Sequence, residues 1–179
     1  MTDNQQEKTE KKLIVFLIGF MGSGKTSLGK ALASQLNYQF VDSDQEIERI
    51  KGQKVKDIFE KQGEKAFRLL ESKFIESIKE YKNVVISTGG GLPCHNDLID
   101  KLLNYGTVIY LDVSVSILSE RLKNDTNRPL IKNLNNEELI SFVTNKLNER
   151  IDIYNKASIK IDANKPINEI IQQIQWMLT

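Results

Sequence analysis

The chain has 179 residues, within the roughly 100–200 over which a single hydrophobic core is usually built, so one domain with one site is expected. Hydrophobic residues make up 40% and charged ones 27%, too apolar a balance for a disordered chain. Lys+Arg number 25 against 24 Asp+Glu, a net charge of +1, which excludes a general field drawing the protein onto nucleic acid or an anionic membrane.

Residues 1–12, MTDNQQEKTEKK, lack the apolar centre of a secretion signal and, their charges being readily solvated, are expected to form a flexible polar tail. No apolar run approaches the ~20 residues of a membrane span. The lone cysteine, Cys94, cannot form an internal disulfide and suits a reducing compartment, so a cytoplasmic location is expected; the protein is also expected to be a monomer.

Apolar β-rich runs then alternate with segments of helical period, the pattern of an α/β chain with a parallel sheet buried on both faces. Five strands are expected, over residues 13–18, 38–41, 83–87, 107–111 and 158–161. Phe67, Leu70, Phe74 and Ile78 recur at helical spacing on one buried face. Pro166 fits the first position of a last helix, along which Ile167, Ile170, Ile171, Ile174 and Leu178 trace a stripe; Trp176 is expected in the core. Residues 89–96 and 124–136 lack regularity, and the second stretch, NDTNRPLIKNLNN, reads as a mobile loop.

The first strand feeds Gly19-Phe20-Met21-Gly22-Ser23-Gly24-Lys25-Thr26, a full G-x-x-x-x-G-K-[ST] motif followed by a helical run over residues 27–36. Glycines let backbone N–H groups turn inward onto phosphate, and the helix N-terminus adds positive potential. Lys25 reaches the β- and γ-phosphates and Thr26 offers a hydroxyl to Mg²⁺. The motif speaks strongly for a nucleotide and weakly for any one reaction. Asn155-Lys156-Ala157-Ser158 lacks the aspartate of a guanine-binding Asn-Lys-x-Asp, and no Asp-x-x-Gly occurs. Small-molecule phosphotransfer is therefore the leading class.

The second strand ends Val41-Asp42-Ser43-Asp44. If the strand runs that far, Asp42 and Asp44 share a face, one serving a metal and the other a substrate hydroxyl; alternatively Asp44 caps a helix over residues 45–50. Arg68 follows Gly63-Glu64 on a helix, where an exposed ion pair with Glu64 or Glu71 is the plainer reading. Arg150 lies between Leu147, Ile151 and Tyr154 on what should be an apolar face, a position that requires an anion or a buried carboxylate. Arg128, before Pro129 in the irregular loop, could swing over the γ-phosphate or be a solvated charge. Ser87-Thr88-Gly89-Gly90-Gly91 opens at the same sheet edge, where the glycines permit a close backbone approach or simply a flexible connection.

GFMGSGKT, D-S-D, G-E-K-A-F-R, S-T-G-G-G, R-P-L and a late R-x-x-x-Y, in this order from residue 13 to about 166, resemble the shikimate kinase family. The resemblance implies an α/β P-loop fold of nucleoside-monophosphate-kinase type, with three layers, a central five-stranded parallel sheet and a mobile lid over about residues 124–136. It also implies ATP-dependent phosphorylation of the 3-hydroxyl of shikimate. By the same resemblance Lys25, Asp44 and Arg128 are catalytic, Asp44 holding the reacting hydroxyl. Gly22, Ser23, Gly24, Lys25, Thr26, Ser27, Arg121, Arg128 and Pro166 bind ATP, Arg121 and Pro166 flanking adenine. Arg68 and Arg150 grip the acceptor carboxylate, the turn Gly89, Gly90 and Gly91 binds the acceptor, and Phe59 and Phe67 border its ring. Thr26 ligates Mg²⁺ directly and Asp42 through water.

His95 and Cys94 match no catalytic role. The other readings are a small P-loop kinase for sugar acids or nucleoside monophosphates, and a non-catalytic ATP-binding relative; the Arg68, triple-glycine and Arg150 set argues against the former, and the retained Lys25, Asp44 and Arg128 against the latter.

Overall fold

The computed structural model of the chain describes residues 13–125 and 130–178; the tail expected over residues 1–12 lies outside them. The strands β1 (Ile14–Ile18), β2 (Gln39–Asp42), β3 (Val84–Ser87), β4 (Thr107–Asp112) and β5 (Ile159–Asp162) form one parallel sheet in the order β2-β3-β1-β4-β5. Every expected strand is present with its ends within one residue.

All five residues of β1 are buried. Val15 and Leu17 face one way, into a cluster with Leu28 and Leu32 of α1 (Lys25–Leu36), Leu118 of α5 (Val115–Leu122), Val143 of α6 (Asn136–Asn148), and Ile170, Ile171 and Ile174 of α8 (Ile167–Leu178). Ile14, Phe16 and Ile18 face the other way, into a cluster with Ile47 of α2 (Ser43–Lys51), Phe67, Phe74 and Ile75 of α3 (Val55–Ser77), Leu102 of α4 (Leu98–Tyr105) and Tyr154 of α7 (Ile151–Tyr154). Helices cover both faces, so no position of β1 can be polar, and its run of apolar residues follows. Each such side chain, fully buried, contributes roughly 1.5–3 kcal/mol before chain entropy is counted.

Because the strands are parallel, the connections leaving β1, β2 and β3 emerge at one edge. The strand order sets β1 beside β3 and β3 beside β2, so the P-loop, the triple-glycine turn and the Asp42–Asp44 segment become neighbours there.

Several local expectations are corrected. β2 stops at Asp42 and α2 begins at Ser43, so Asp44 is placed by the first turn of a helix and not by strand alternation. The helix is capped by Asp42, whose Oδ1 accepts from the N–H groups of Asp44 (3.1 Å) and Gln45 (3.3 Å). Asp44 is therefore released from capping. Pro166 precedes α8, its carbonyl accepting from the Glu169 and Ile170 N–H groups. Trp176 is 78% exposed, because two residues beyond Ile174 is about 200° round a helix, away from the buried stripe; Ile167 is exposed as well.

The stretch expected to be irregular over residues 124–136 is partly built into the fold. Ile131 is buried in the first cluster, and α6 starts at Asn136 behind a capping box formed by Asn135 and Glu138. Residues 126–129, with Arg128 and Pro129, lie outside the described residues. Residues 89–96 contain a 3₁₀ turn, Leu92–Cys94. Among the described residues no helix is long and apolar enough to cross a membrane.

Candidate active site

Gly22 and Gly24 take φ values of 80° and 91°, a left-handed backbone that glycine adopts without Cβ strain. Gly24 is the N-cap of α1 and offers no side-chain cap, which leaves first-turn N–H groups for an anion. Ser27 is exposed on that turn. Lys25 is buried, and its Nζ donates to the carbonyls of Gly19 (2.9 Å) and Phe20 (2.8 Å) and to Ser23 Oγ (3.3 Å). Arg121 reaches across from α5 to donate to the Gly22 carbonyl at 3.1 Å. Pro166 is exposed on the connection leaving β5, two strands away from β1 in the sheet.

Thr26 Oγ1 donates to Asp42 Oδ2 at 3.0 Å. With its proton given to the carboxylate, the threonine oxygen keeps its lone pairs for a cation, and this pair of hard oxygens fits Mg²⁺, which takes few protein ligands beside water and phosphate. Among the described residues no group of three or more His, Cys, Asp or Glu could hold a metal, so a cation here would share its coordination with phosphate oxygens.

The opposite side of the site is assembled from separate segments. The Gly89 N–H donates to Ser43 Oγ (2.9 Å), and Ser43 Oγ donates to Asp44 Oδ1 (3.2 Å). Burial raises the Asp44 carboxyl above its ordinary range and the Asp42 charge adds to this, while the Ser43 hydrogen bond, Lys25 and Arg68 oppose it. A carboxyl raised in this way takes up a proton more readily than an ordinary one. The turn is crowded: a Cβ on Gly89 would lie 2.7 Å from Asp44 Oδ1, one on Gly91 2.9 Å from Arg68 Nη2, and one on Gly90 3.3 Å from both Gly19 O and Met21 N. The turn is thus a wall shared by Asp44, Arg68 and the P-loop.

Arg68 makes both ion pairs that its spacing allows, to Glu64 (2.8 Å) and Glu71 (2.7 Å), but it is not exposed: its side chain keeps 15% of its accessibility and that of Glu71 none. Desolvation pushes the Glu71 carboxyl to about 7, against the pull of Arg68; burial outweighs the pairing because only Oε2 is engaged and buried Oε1 finds no partner. Gly63, at φ 82°, breaks α3 ahead of this cluster. The rings of Phe59 and Phe67 meet across the break at 4.8 Å, with the Arg68 guanidinium 6.0 and 5.7 Å from their centroids.

Arg150 does not lie on a continuous helix face. It is the N-cap between α6 and α7, half-buried, with its guanidinium 5.7 Å from the ring centroid of P-loop Phe20. Burial lowers the His95 imidazole, and Arg68 and Arg150 both add to that, so the two guanidiniums bear on one region beside the glycine turn. Ser43 and Phe20 were missed as site residues. Ser43 is the middle letter of D-S-D and Phe20 a variable position of the P-loop, so only the D-S-D pattern carried any signal.

A cavity of about 200 Å³ runs from Gly22, Lys25 and Thr26 past Asp42 and Asp44 to Thr88 and Gly90. A larger one, about 390 Å³, lies between Lys51, Ile58, Leu69 and Lys73 and is lined by none of these groups.

The family model for shikimate kinase matches residues 21–179. A shikimate kinase from Sulfurihydrogenibium sp. (strain YO3AOP1) is 44% identical over 161 residues, which cover 89% of this chain and 94% of that one. The crystal structure of shikimate kinase from Bacteroides thetaiotaomicron superposes with a TM-score of 0.89 at 35% identity, over 94% of this chain and 99% of that one. Shikimate kinase from Acinetobacter baumannii in complex with shikimate gives 0.84 at 34% identity, over 94% of each. With the P-loop, the parallel sheet and the likeness extending along nearly the whole chain, the protein belongs to the shikimate kinase family of ATP-dependent kinases.

Proposed function

We propose that the protein transfers the γ-phosphoryl group of ATP to the 3-hydroxyl of shikimate, giving shikimate 3-phosphate and ADP on the cytoplasmic route to chorismate and the aromatic amino acids. The observation that carries this reading is the position of Asp44: it shares one cavity with Lys25 and Thr26 and abuts the glycine turn. A donor cradle and a polarisable carboxyl then flank the space where a hydroxyl and a phosphate would meet.

In this reading the P-loop N–H groups and Lys25 hold the β- and γ-phosphates, with Arg121 and Pro166 beside the adenine. Bound Mg²⁺, ligated by Thr26 and held through water by Asp42, would neutralise phosphate charge. Asp44 aligns the acceptor hydroxyl and takes its proton as the new P–O bond forms and the bond to the ADP oxygen breaks. Arg68 and Arg150 hold the acceptor carboxylate, the Gly89–Gly91 turn lines the acceptor, and Phe59 and Phe67 border its ring. Arg128 completes the set as the arginine of a lid over about residues 124–136.

An ADP-release assay with Mg·ATP and shikimate, gluconate or CMP as rival acceptors tests the reading. Turnover is expected with shikimate alone; activity with gluconate or CMP in its place overturns the choice of acceptor, and no turnover with any of them favours a non-catalytic ATP binder.

A further inference from the structure

Tyr154 has no part in the reaction as described, yet it is a fully buried phenol with its hydroxyl against the acceptor turn. The hydroxyl donates to the carbonyl of Gly90 at 2.5 Å, across 64 positions of sequence. Its ring lies on that of Tyr110, centroids 5.1 Å apart. Burial raises the phenol well above its ordinary range, opposed by Arg150, so it stays a protonated donor throughout the neutral range.

The setting of this bond is specific. α7 is a single turn, with Arg150 at its start and Tyr154 at its end, and the Tyr154 N–H donates to the Arg150 carbonyl at 3.0 Å. Arg150 leans on Phe20 of the P-loop, and Gly90 is crowded against Gly19 and Met21 of the same loop. One short turn therefore touches the acceptor and donor sides at two points.

We propose that Tyr154 is a positioning residue for the acceptor: its hydroxyl fixes the Gly90–Gly91 peptide relative to Arg150, so that the turn and the carboxylate-binding guanidinium are held at one spacing. This role rests on the reading of the protein as a shikimate-phosphorylating enzyme. A glycine-rich turn has little stiffness of its own, and a buried carbonyl that loses its donor relaxes toward another. Without the hydroxyl, the turn shifts against Arg150 while the nucleotide cradle, held by Lys25 and its own backbone, is undisturbed.

Tyr154→Phe keeps the ring and its stacking on Tyr110, and removes the hydroxyl with its bond to the Gly90 carbonyl and its contact with Arg150. The full-length variant is expected to show a KM for shikimate raised roughly 5- to 20-fold, the range for one buried hydrogen bond. Its KM for ATP should stay within about twofold and its melting temperature within a few degrees. Tyr110→Phe, which removes the neighbouring hydroxyl bonded to Asp112, serves as the control and should leave both KM values unchanged. An unchanged KM for shikimate in Tyr154→Phe, or equal losses for both substrates with a large fall in melting temperature, overturns the positioning role and leaves a packing residue. A wild-type protein that does not turn over shikimate overturns the reaction and this role with it.

Discussion

The two halves of the site are built differently. The proposed donor half is eight consecutive residues, 19–26, which offer mostly backbone N–H groups, with one lysine held by carbonyls of its own loop. The proposed acceptor half draws Asp44, Arg68 with Glu71, the Gly89–Gly91 turn and Arg150 from four segments, and most of its groups are side chains partly or fully removed from water. A contiguous backbone cradle tolerates the loss of a peripheral contact, since neighbouring amides share the load. A set of buried charges does not, because each charge relies on a particular partner.

This contrast predicts the ranking of substitutions. Asp44→Asn should lower kcat by ~10² or more, the scale for a positioned acid–base group, with ATP affinity in a titration nearly intact. Normal turnover in that variant would reduce Asp44 to a structural part of the turn. Next, Arg150→Ala is expected to weaken shikimate binding by roughly 2–5 kcal/mol, the loss on truncating one side of a buried charged contact; unchanged affinity by calorimetry removes its carboxylate role.

Glu71 gives a pH test of the acceptor half alone. Its folded value of about 7 lies above the ordinary 4.5, so between those values the folded state holds a proton that the unfolded state has released. The resulting stability is complete below pH 4.5, falls as pH rises, and is gone above about pH 7, a span of up to roughly 3 kcal/mol. Urea unfolding of the wild type and Glu71→Gln from pH 5 to pH 8 should show the wild type losing stability relative to the variant as pH rises; parallel curves would place the carboxyl in an ordinary environment. The smallest effect belongs to the donor half. Arg121→Ala removes an exposed hydrogen bond to Gly22 together with the proposed contact beside the adenine, and should raise the KM for ATP by only about 2- to 5-fold. A change as large as that of Arg150→Ala would break the contrast.

How much of this was legible in the sequence follows from how local each feature is. The parallel sheet was readable because burial on both faces forces continuous apolar strands, and β1 is apolar at every position. The P-loop was readable because its geometry is made by consecutive residues. The Asp42–Asp44 segment was only half readable: both aspartates stood out, but which one caps the helix depended on where β2 ended. Arg68 could be assigned its ion pairs from spacing, while the full burial of its Glu71 partner could not.

The layered fold, the phosphate cradle and the order of the motifs follow from periodicity and from residues adjacent in the chain. That Trp176 faces solvent, that Arg150 sits at a helix break over Phe20, and that Tyr154 reaches the Gly90 carbonyl became visible with the folded packing. Those outcomes rest on burial and on contacts between segments as many as 130 residues apart in sequence (150 − 20), and neither quantity is written in any single stretch of chain.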